Sequence, residues 1–269
     1  MNEHPATGAS ALPAYVPGHR LLAGKSVLVT AAAGAGIGYA TARRCAEEGC
    51  RALVVADIHA RRLDEAVARL KAETGFQAIH GKLADVTDES QVQALVDFAD
   101  ERLAGTDVLV NNAGLGGSKL VVEMSDEEWQ RVLDVTLTGT FRMTRAMLRK
   151  MQPRGRGAIV NNASVLGWRA QKEQAHYAAA KAGVMALTRC SALEAAEHGV
   201  RINAVAPSIA LHDFLRKSAP QHLLDKLAAG EAFGRAAEVW EIANVIVFLA
   251  SDYASYLVGE VLSASSQRA

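Results

Sequence analysis

The chain has little of what would place it in a membrane or on a nucleic acid. Its 269 residues hold only 3 cysteines and 6 prolines, and 29 Lys+Arg balance 29 Asp+Glu. A nucleic-acid footprint needs a basic excess or stripe, which this balance does not provide. No apolar run approaches the roughly 18 residues that cross a membrane. The N-terminus shows no basic stretch followed by an apolar one, so no secretory signal is legible. Cys45, Cys50 and Cys190 are an odd set without metal-ligand spacing. That set predicts no metal site and fits a reducing, cytoplasmic setting. Cys45 and Cys190 fall in apolar helical patterns and read as small buried hydrophobes. With 50% hydrophobic and 22% charged residues, the composition is that of an ordinary globular enzyme or small-ligand binder.

Residues 1–22 carry Pro5, Pro13 and Pro17 without periodicity, and read as an extension ordered only if something ties it down. From Lys25 onward short β-branched runs alternate with helical patterns. The runs lie at 26–30, 52–56, 77–80, 107–111, 158–161, 200–205 and 259–262, and helices are expected near 37–48, 60–74, 88–104, 126–151, 174–198 and 238–250. This alternation predicts a single α/β domain over about 23–269, a doubly wound, mostly parallel seven-stranded sheet with helices on both faces. Asp88 with Gln91 three residues on predicts a capping box. Gly49, Gly75 and Gly199 stand where helices often end in a left-handed residue.

Directly after the first strand comes Thr30-Ala-Ala-Ala-Gly34-Ala-Gly36-Ile37-Gly38, opening a helix. Glycines in a Rossmann-type first turn let the backbone approach a pyrophosphate, held by the amides and positive dipole end of the helix. Tyr39 breaks a strict G-x-G-x-x-G, so alone the stretch also reads as a structural turn. Asp57, about twenty residues on and ending the second strand, is placed to accept bonds from ribose hydroxyls, or to cap the next helix. An acidic group there repels a 2′-phosphate. Neither Ala35 nor Ile58 supplies a cation, and Arg61 and Arg62 lie a turn further on a solvated face. NAD is expected rather than NADP.

Tyr177 and Lys181 are one helical turn apart, which puts phenol and ammonium on one face. A Tyr with the ordinary pKa near 10 is a poor base, and a nearby Lys cation favours the phenolate. Ser164 follows the fifth long run, where strand carboxyl ends collect ligands; it also reads as a turn or N-cap residue. Ser164, the glycine turn and Asn112 are expected to converge on one crevice.

Taken together, these motifs resemble the short-chain dehydrogenase/reductase family. The matching pieces are Gly36-Ile37-Gly38, Asp57, Asp85-Val86, Asn111-Asn112-Ala113-Gly114, Ser164, Tyr177-x-x-x-Lys181 and Asn203-Ala-Val-Ala-Pro207. They occur in family order over about 24–262. The resemblance implies that Tyr177 is the general acid/base and that Ser164 orients the substrate oxygen. Lys181 would lower the Tyr177 pKa and hold the nicotinamide ribose. It further implies that Gly34, Gly36, Ile37 and Gly38 meet the pyrophosphate, Asp85 and Val86 the adenine, and Asn112, Ala113 and Gly114 the adenosine side. Pro207 and Ala210 would touch the cofactor. Thr136 stands where most relatives carry an Asn that organises a relay water, and a hydroxyl has fewer donors and acceptors than an amide. A homo-oligomer is implied, with helices at 88–104 and 126–151 in one interface.

The family's substrate lid corresponds to about 208–233, an apolar stretch suited to a hydrophobic small molecule. Phe214 and Arg216 belong to it, with Arg216 placed for the phosphates of a CoA carrier; an amphipathic helix with a solvated basic face is the plainer reading. His212 faces substrate or nicotinamide, or is a plain loop histidine, and Trp168 is expected at the pocket border. The combination of Thr30-Ala-Ala-Ala-Gly34, Asp134-Val-Thr-Leu-Thr138, the block 161–171 and Ala206-Pro-Ser-Ile-Ala210 resembles a subgroup that acts on bicyclic CoA thioesters in steroid-ring degradation. The expected function is therefore an NAD(H)-dependent oxidoreductase of a secondary alcohol or ketone. The alternatives are an NADPH-dependent 3-oxoacyl-thioester reductase and a non-catalytic dinucleotide-binding sensor.

Overall fold

Alternate residues of a strand face opposite sides of its sheet, and in this chain both sets are apolar. The structure, a computed structural model, describes residues 10–211 and 221–266. Strands β1 (Ser26–Thr30), β2 (Ala52–Asp57), β3 (Ile79–Leu83), β4 (Val108–Asn111), β5 (Gly157–Asn162), β6 (Val200–Pro207) and β9 (Val261–Ala264) form one sheet. Its order is β3-β2-β1-β4-β5-β6-β9, with every neighbouring pair parallel. Two short strands, β7 (Ala210–Leu211) and β8 (Ala237–Glu238), pair apart from it. The register row Val54–Leu28–Leu109–Ile159–Ile202 crosses the sheet fully or almost fully buried. It packs on α3 (Glu89–Arg102), α5 (Gly139–Met151) and α6 (Ala175–Ala196). The next row, Val55–Val29–Val110–Val160, faces α1 (Ile37–Glu47), α2 (Ala60–Thr74) and α8 (Val239–Ala250). Two cores on one sheet are what continuously apolar strands require, and the doubly wound fold expected from the sequence is the one observed. Strand order reverses between β1 and β4, so their carboxyl ends open a crevice where such sheets bind ligands.

Several local expectations need correction. Asp88 Oδ1 accepts from Ser90 N (2.8 Å) and Gln91 N (3.2 Å), but Gln91 Oε1 accepts from Asp85 N (3.1 Å), so the return half of the box is spent elsewhere. A reciprocal box does open α4 (Asp126–Leu133), between Ser125 and Glu128. The continuous helix expected over 126–151 is interrupted by a π-helical turn, Asp134–Thr138. There Thr140 Oγ1 donates to the Thr136 carbonyl (2.8 Å), and such wide turns often mark functional positions. Cys190 is exposed, unlike Cys45 and Cys50, because it lies on the solvent side of α6 beside Leu193. Gly49, Gly75 and Gly199 take φ of 75°, 70° and 68° after their helices, as expected.

Residues 10–22 are tied down as a strap across the end of α1. The buried Arg44–Glu48 pair (2.5 Å) is its anchor: Arg44 Nη1 donates to the Val16 carbonyl (2.5 Å), and Glu48 Oε2 accepts from His19 N (2.8 Å) and Leu21 N (2.9 Å). Tyr15 donates to Glu47 and sits edge-on to Trp240 at 5.3 Å. Ser10 N donates to the Phe233 carbonyl (2.8 Å), at the foot of α7 (Gln221–Ala229). Burial raises the Glu48 pKa, and the amides of Leu21 and His19 with Arg44 more than offset it, leaving the carboxyl below its ordinary 4.5. Arg44→Ala should cost about 3 kcal/mol, the order for breaking a buried pair, read as a lower urea midpoint. A carboxyl with a depressed folded pKa stabilises above its unfolded value and loses that contribution as pH falls through the folded value. The variant, with less to hold that pKa down, should therefore lose less stability than the wild type as pH falls through the carboxylate range. An unchanged urea midpoint would remove the strap from the account of stability.

Candidate active site

Polar side chains at the carboxyl ends of β1, β4 and β5 are laced together. The Thr30 hydroxyl accepts from the N–H groups of Asn112 (3.0 Å) and Ala113 (3.1 Å). The Asn112 amide donates to the carbonyls of Ala31 (3.0 Å) and Thr30 (3.3 Å), and its oxygen accepts from Asn162 Nδ2 (2.9 Å). One layer deeper, Asn111 donates to Asn161 (2.9 Å) and Thr144 (3.0 Å), and Asn161 donates to Thr188 (2.9 Å). These bonds set three strand ends at one level, while the buried oxygens Asn111 Oδ1 and Asn162 Oδ1 accept no hydrogen bond within the described residues.

The glycine turn lies against this lacing. A Cβ at Gly38 would collide with the Ala31 carbonyl oxygen and the Asn112 amide, whereas Gly34 faces open space. Helix α1 starts after Gly36 with no side-chain cap, so the first-turn amides, those of Ile37 and Gly38 among them, are free to take an anion. Asp57 Oδ2 accepts from Ala33 N (3.0 Å) and Oδ1 from His59 N (3.1 Å), so it braces the turn and the approach to α2 at once. Asp85 and Val86 follow β3; Asp85 Oδ1 accepts from Thr87 N (2.8 Å) and Oγ1 (2.7 Å), and Val86 packs under Gly139. Pro207 closes β6, and Ala210 opens β7, on the same edge. A narrow backbone cradle, an uncapped helix start and a braced carboxylate suit a dinucleotide.

Ser164, Tyr177 and Lys181 come together on the β5 side. Ser164 Oγ caps the turn after β5 by accepting from Leu166 N (3.2 Å), which is the plainer reading of that residue, and it stands close enough to the Tyr177 phenol to lower its pKa. Lys181 Nζ donates to the Asn162 carbonyl (2.5 Å) and lies 5.6 Å from the Tyr177 ring centre. Burial pushes the phenol above its ordinary 10, with Ser164 pulling partly back. Burial also brings Lys181 down to about 8. The ammonium is spent on a backbone carbonyl inside a low-dielectric enclosure, where either charge is disfavoured.

Thr136 is fully buried and closes on the backbone of Leu115, accepting from its N–H (3.0 Å) and donating to its carbonyl (3.2 Å). Its one proton is committed, so it serves as a clamp on the segment after β4. Gly114 sits within that clamp, beside Thr136 and Lys181. The segment it holds escaped the sequence reading. Gln174 Nε2 donates to the Gly117 carbonyl (2.6 Å), Ser118 Oγ to Glu173 Oε2 (2.5 Å) and Lys119 N to the Glu173 carbonyl (3.0 Å). Residues 115–119 thus form a roof, with Gly116 against the Tyr177 ring; the Gly116-Gly117 pair was the available signal. Trp168 stands half-exposed, and His212, Phe214 and Arg216 lie outside the described residues. A cavity of about 590 Å³ at the opposite, amino-terminal edge of the strands is lined by Lys25, Asp107, Arg201 and Asp252. Its Lys25–Asp252 pair (2.8 Å) is self-satisfied, and none of the groups above reaches it. Among the described residues no cluster of three or more His, Cys, Asp or Glu could hold a metal ion, and no helix is long and apolar enough to cross a membrane.

The depressed Lys181 gives a pH test. Between pH about 8 and the ordinary 10.5, the unfolded chain holds a proton that the folded chain has lost, so stability rises with pH in that window. Relative to Lys181→Met, the wild type should gain stability across it. A flat difference between the two proteins would show that the ammonium is not strained by burial.

Comparisons with known proteins agree with this geometry. Residues 31–266 match the family model described as enoyl-(acyl carrier protein) reductase. The chain is 63% identical over 260 residues, 96% of its length and 98% of the relative's, to the (5R,7aS)-5-hydroxy-7a-methyl-1-oxo-2,3,5,6,7,7a-hexahydro-1H-indene-carboxyl-CoA reductase of Mycobacterium tuberculosis. It is 42% identical to cis-4-hydroxycyclohexanecarboxylate dehydrogenase of Sinomonas cyclohexanicum, over 88% of this chain and 94% of that one. A crystal structure of a short chain dehydrogenase from Mycobacterium smegmatis superposes with a TM-score of 0.86 at 56% identity, covering 96% of this chain and 99% of that one. With its parallel sheet, glycine turn and Ser164–Tyr177–Lys181 cluster, the chain belongs to the short-chain dehydrogenase/reductase family of oxidoreductases.

Proposed function

We propose that the chain transfers a hydride between NAD(H) and a secondary alcohol or ketone on a hydrophobic, bicyclic CoA thioester. The observation that carries the chemistry is the cluster of Ser164, Tyr177 and Lys181, with Lys181 anchored on the Asn162 carbonyl (2.5 Å) beside the glycine turn. The substrate class rests on the relatives: two of them, at 63% and 42% identity, are named for a hydroxylated ring that also bears a carboxyl group. The preference for NAD rests on Asp57, whose carboxylate stands beside the turn.

Bound nicotinamide supplies the hydride donor or acceptor. Tyr177 exchanges a proton with the substrate oxygen. Held above its ordinary 10, the phenol is protonated at neutral pH and is placed to give that proton to a carbonyl, the reductive direction. Ser164 holds the same oxygen, a positioning contribution. Lys181 keeps a positive charge near the phenol and meets the nicotinamide ribose. The turn residues Gly34, Gly36, Ile37 and Gly38 meet the pyrophosphate, and Asp85 with Val86 borders the adenine. Asn112, Ala113 and Gly114 line the adenosine side, and Pro207 with Ala210 borders the nicotinamide. Thr136 acts through the Leu115 segment, as a positioning residue. Trp168 and the described parts of the lid, 208–211 and 221–233, border the substrate. The half-exposed Trp129 and Phe141, on α4 and α5, support a homo-oligomer that uses this face.

The test is absorbance at 340 nm with the ring ketone as its CoA thioester and NADH, run beside NADPH and the free acid, and in the oxidative direction. Turnover confined to the thioester is expected, and Tyr177→Phe should lower it by at least about a hundredfold, the lower end for general acid–base catalysis. No turnover in either direction would return the substrate to unknown, and a near-wild-type Tyr177→Phe would end the acid/base assignment.

A further inference from the structure

Opposite charges hold the glycine turn at two consecutive residues. The Ala33 N–H donates to Asp57 Oδ2 (3.0 Å), and the Gly34 carbonyl accepts from Arg69 Nη2 (3.3 Å). Arg69 reaches the turn from α2. Its guanidinium lies over the Tyr39 ring, 3.7 Å from the centre, and its Nε is 3.5 Å from Glu73 Oε1. Tyr39 is in turn fixed, buried and donating to Glu73 Oε2 (3.0 Å). The residue that breaks the strict glycine spacing is therefore the platform on which Arg69 rests. A guanidinium from α2 thus reaches the turn, although Ala35 and Ile58 carry no cation.

The Arg69 side chain is about half exposed, at 48%. Its guanidinium carries five donors, and its contact at the turn is a long bond to a neutral carbonyl. Glu73, its carboxylate neighbour, is shared with Arg43 at 3.8 Å. A doubly charged oxyanion beside Gly34 would be a stronger acceptor, and a planar guanidinium is suited to bidentate capture of phosphate.

We propose that Arg69 is a coenzyme-specificity residue that receives the 2′-phosphate of a phosphorylated dinucleotide, so that Asp57 and Arg69 act as opposed elements. This rests on the reading of Asp57 as the ribose acceptor. Asp57 repels a group added at the 2′ position and Arg69 attracts it, which makes the preference for NAD graded.

The experiment is calorimetric titration of ADP-ribose and 2′-phospho-ADP-ribose into the wild type, Asp57→Asn, Arg69→Ala, Arg69→Lys and the Asp57→Asn/Arg69→Ala double variant. The quantity read is the ratio of the two Kd values. Arg69→Ala should weaken the 2′-phospho ligand relative to the plain one by about tenfold, the effect of one charge-assisted contact, in both the wild-type and Asp57→Asn backgrounds. Arg69→Lys should restore part of that loss. Asp57→Asn should shift the ratio the other way. A ratio that ignores Arg69 in both backgrounds, or an Arg69→Ala that weakens both ligands equally, overturns the proposal and leaves Asp57 untouched. A ratio that ignores Asp57→Asn overturns the reading of Asp57 instead.

Discussion

The hydrogen bonds joining the carboxyl ends of β1, β4 and β5 are the constraint on which the crevice depends. Asn112 alone ties Thr30, Ala31 and Asn162 together, and the neighbouring groups are placed by reference to it. Gly38 must lack a side chain because the Asn112 amide and the Ala31 carbonyl occupy that space. Lys181 is aimed by the carbonyl of Asn162, and Ser164 follows two residues later on the same strand end. The apolar register rows set how far apart the strands lie, and the asparagine lacing sets where they stop.

A site assembled this way holds groups that would be more comfortable elsewhere. Lys181 sits in an enclosure that lowers its pKa to about 8, and Tyr177 is held as the neutral phenol. Neither charge state is favoured by burial, so both groups respond to small changes in what stands near them. The roof at 115–119 is fastened by Thr136 on one side and Glu173 with Gln174 on the other. Its Gly116 lies against the Tyr177 ring and keeps it enclosed. Stability and reactivity are set against each other here, as is usual where buried titratable groups do chemistry.

Much of this was legible in the sequence because it rests on local pattern. Continuous apolar runs and helices of period 3.6 placed all seven strands and six long helical stretches, and motif order brought Ser164, Tyr177 and Lys181 to one crevice. What escaped depends on contacts between distant residues. The π turn at Asp134–Thr138 arises where Thr136 is bonded across the fold to Leu115, which periodicity along 126–151 does not encode. Arg69 belongs to no motif in the sequence, and it is the packing of α2 on α1 that sets it over Tyr39. The strap at 10–22 has no period at all, and its order comes from a buried Arg44–Glu48 pair that reads, in sequence, as an ordinary helix-surface pair.

If strand-end lacing is what prepares the crevice, Asn112→Ala is the most direct test, with calorimetric titration of ADP-ribose as the readout and circular dichroism to confirm the fold. The account predicts a folded protein whose affinity drops by at least about tenfold, since the Asn162 amide and the turn carbonyls lose their common partner. A folded variant that binds ADP-ribose as tightly as the wild type would contradict it, because the glycine turn would then hold its shape without the lacing beneath it.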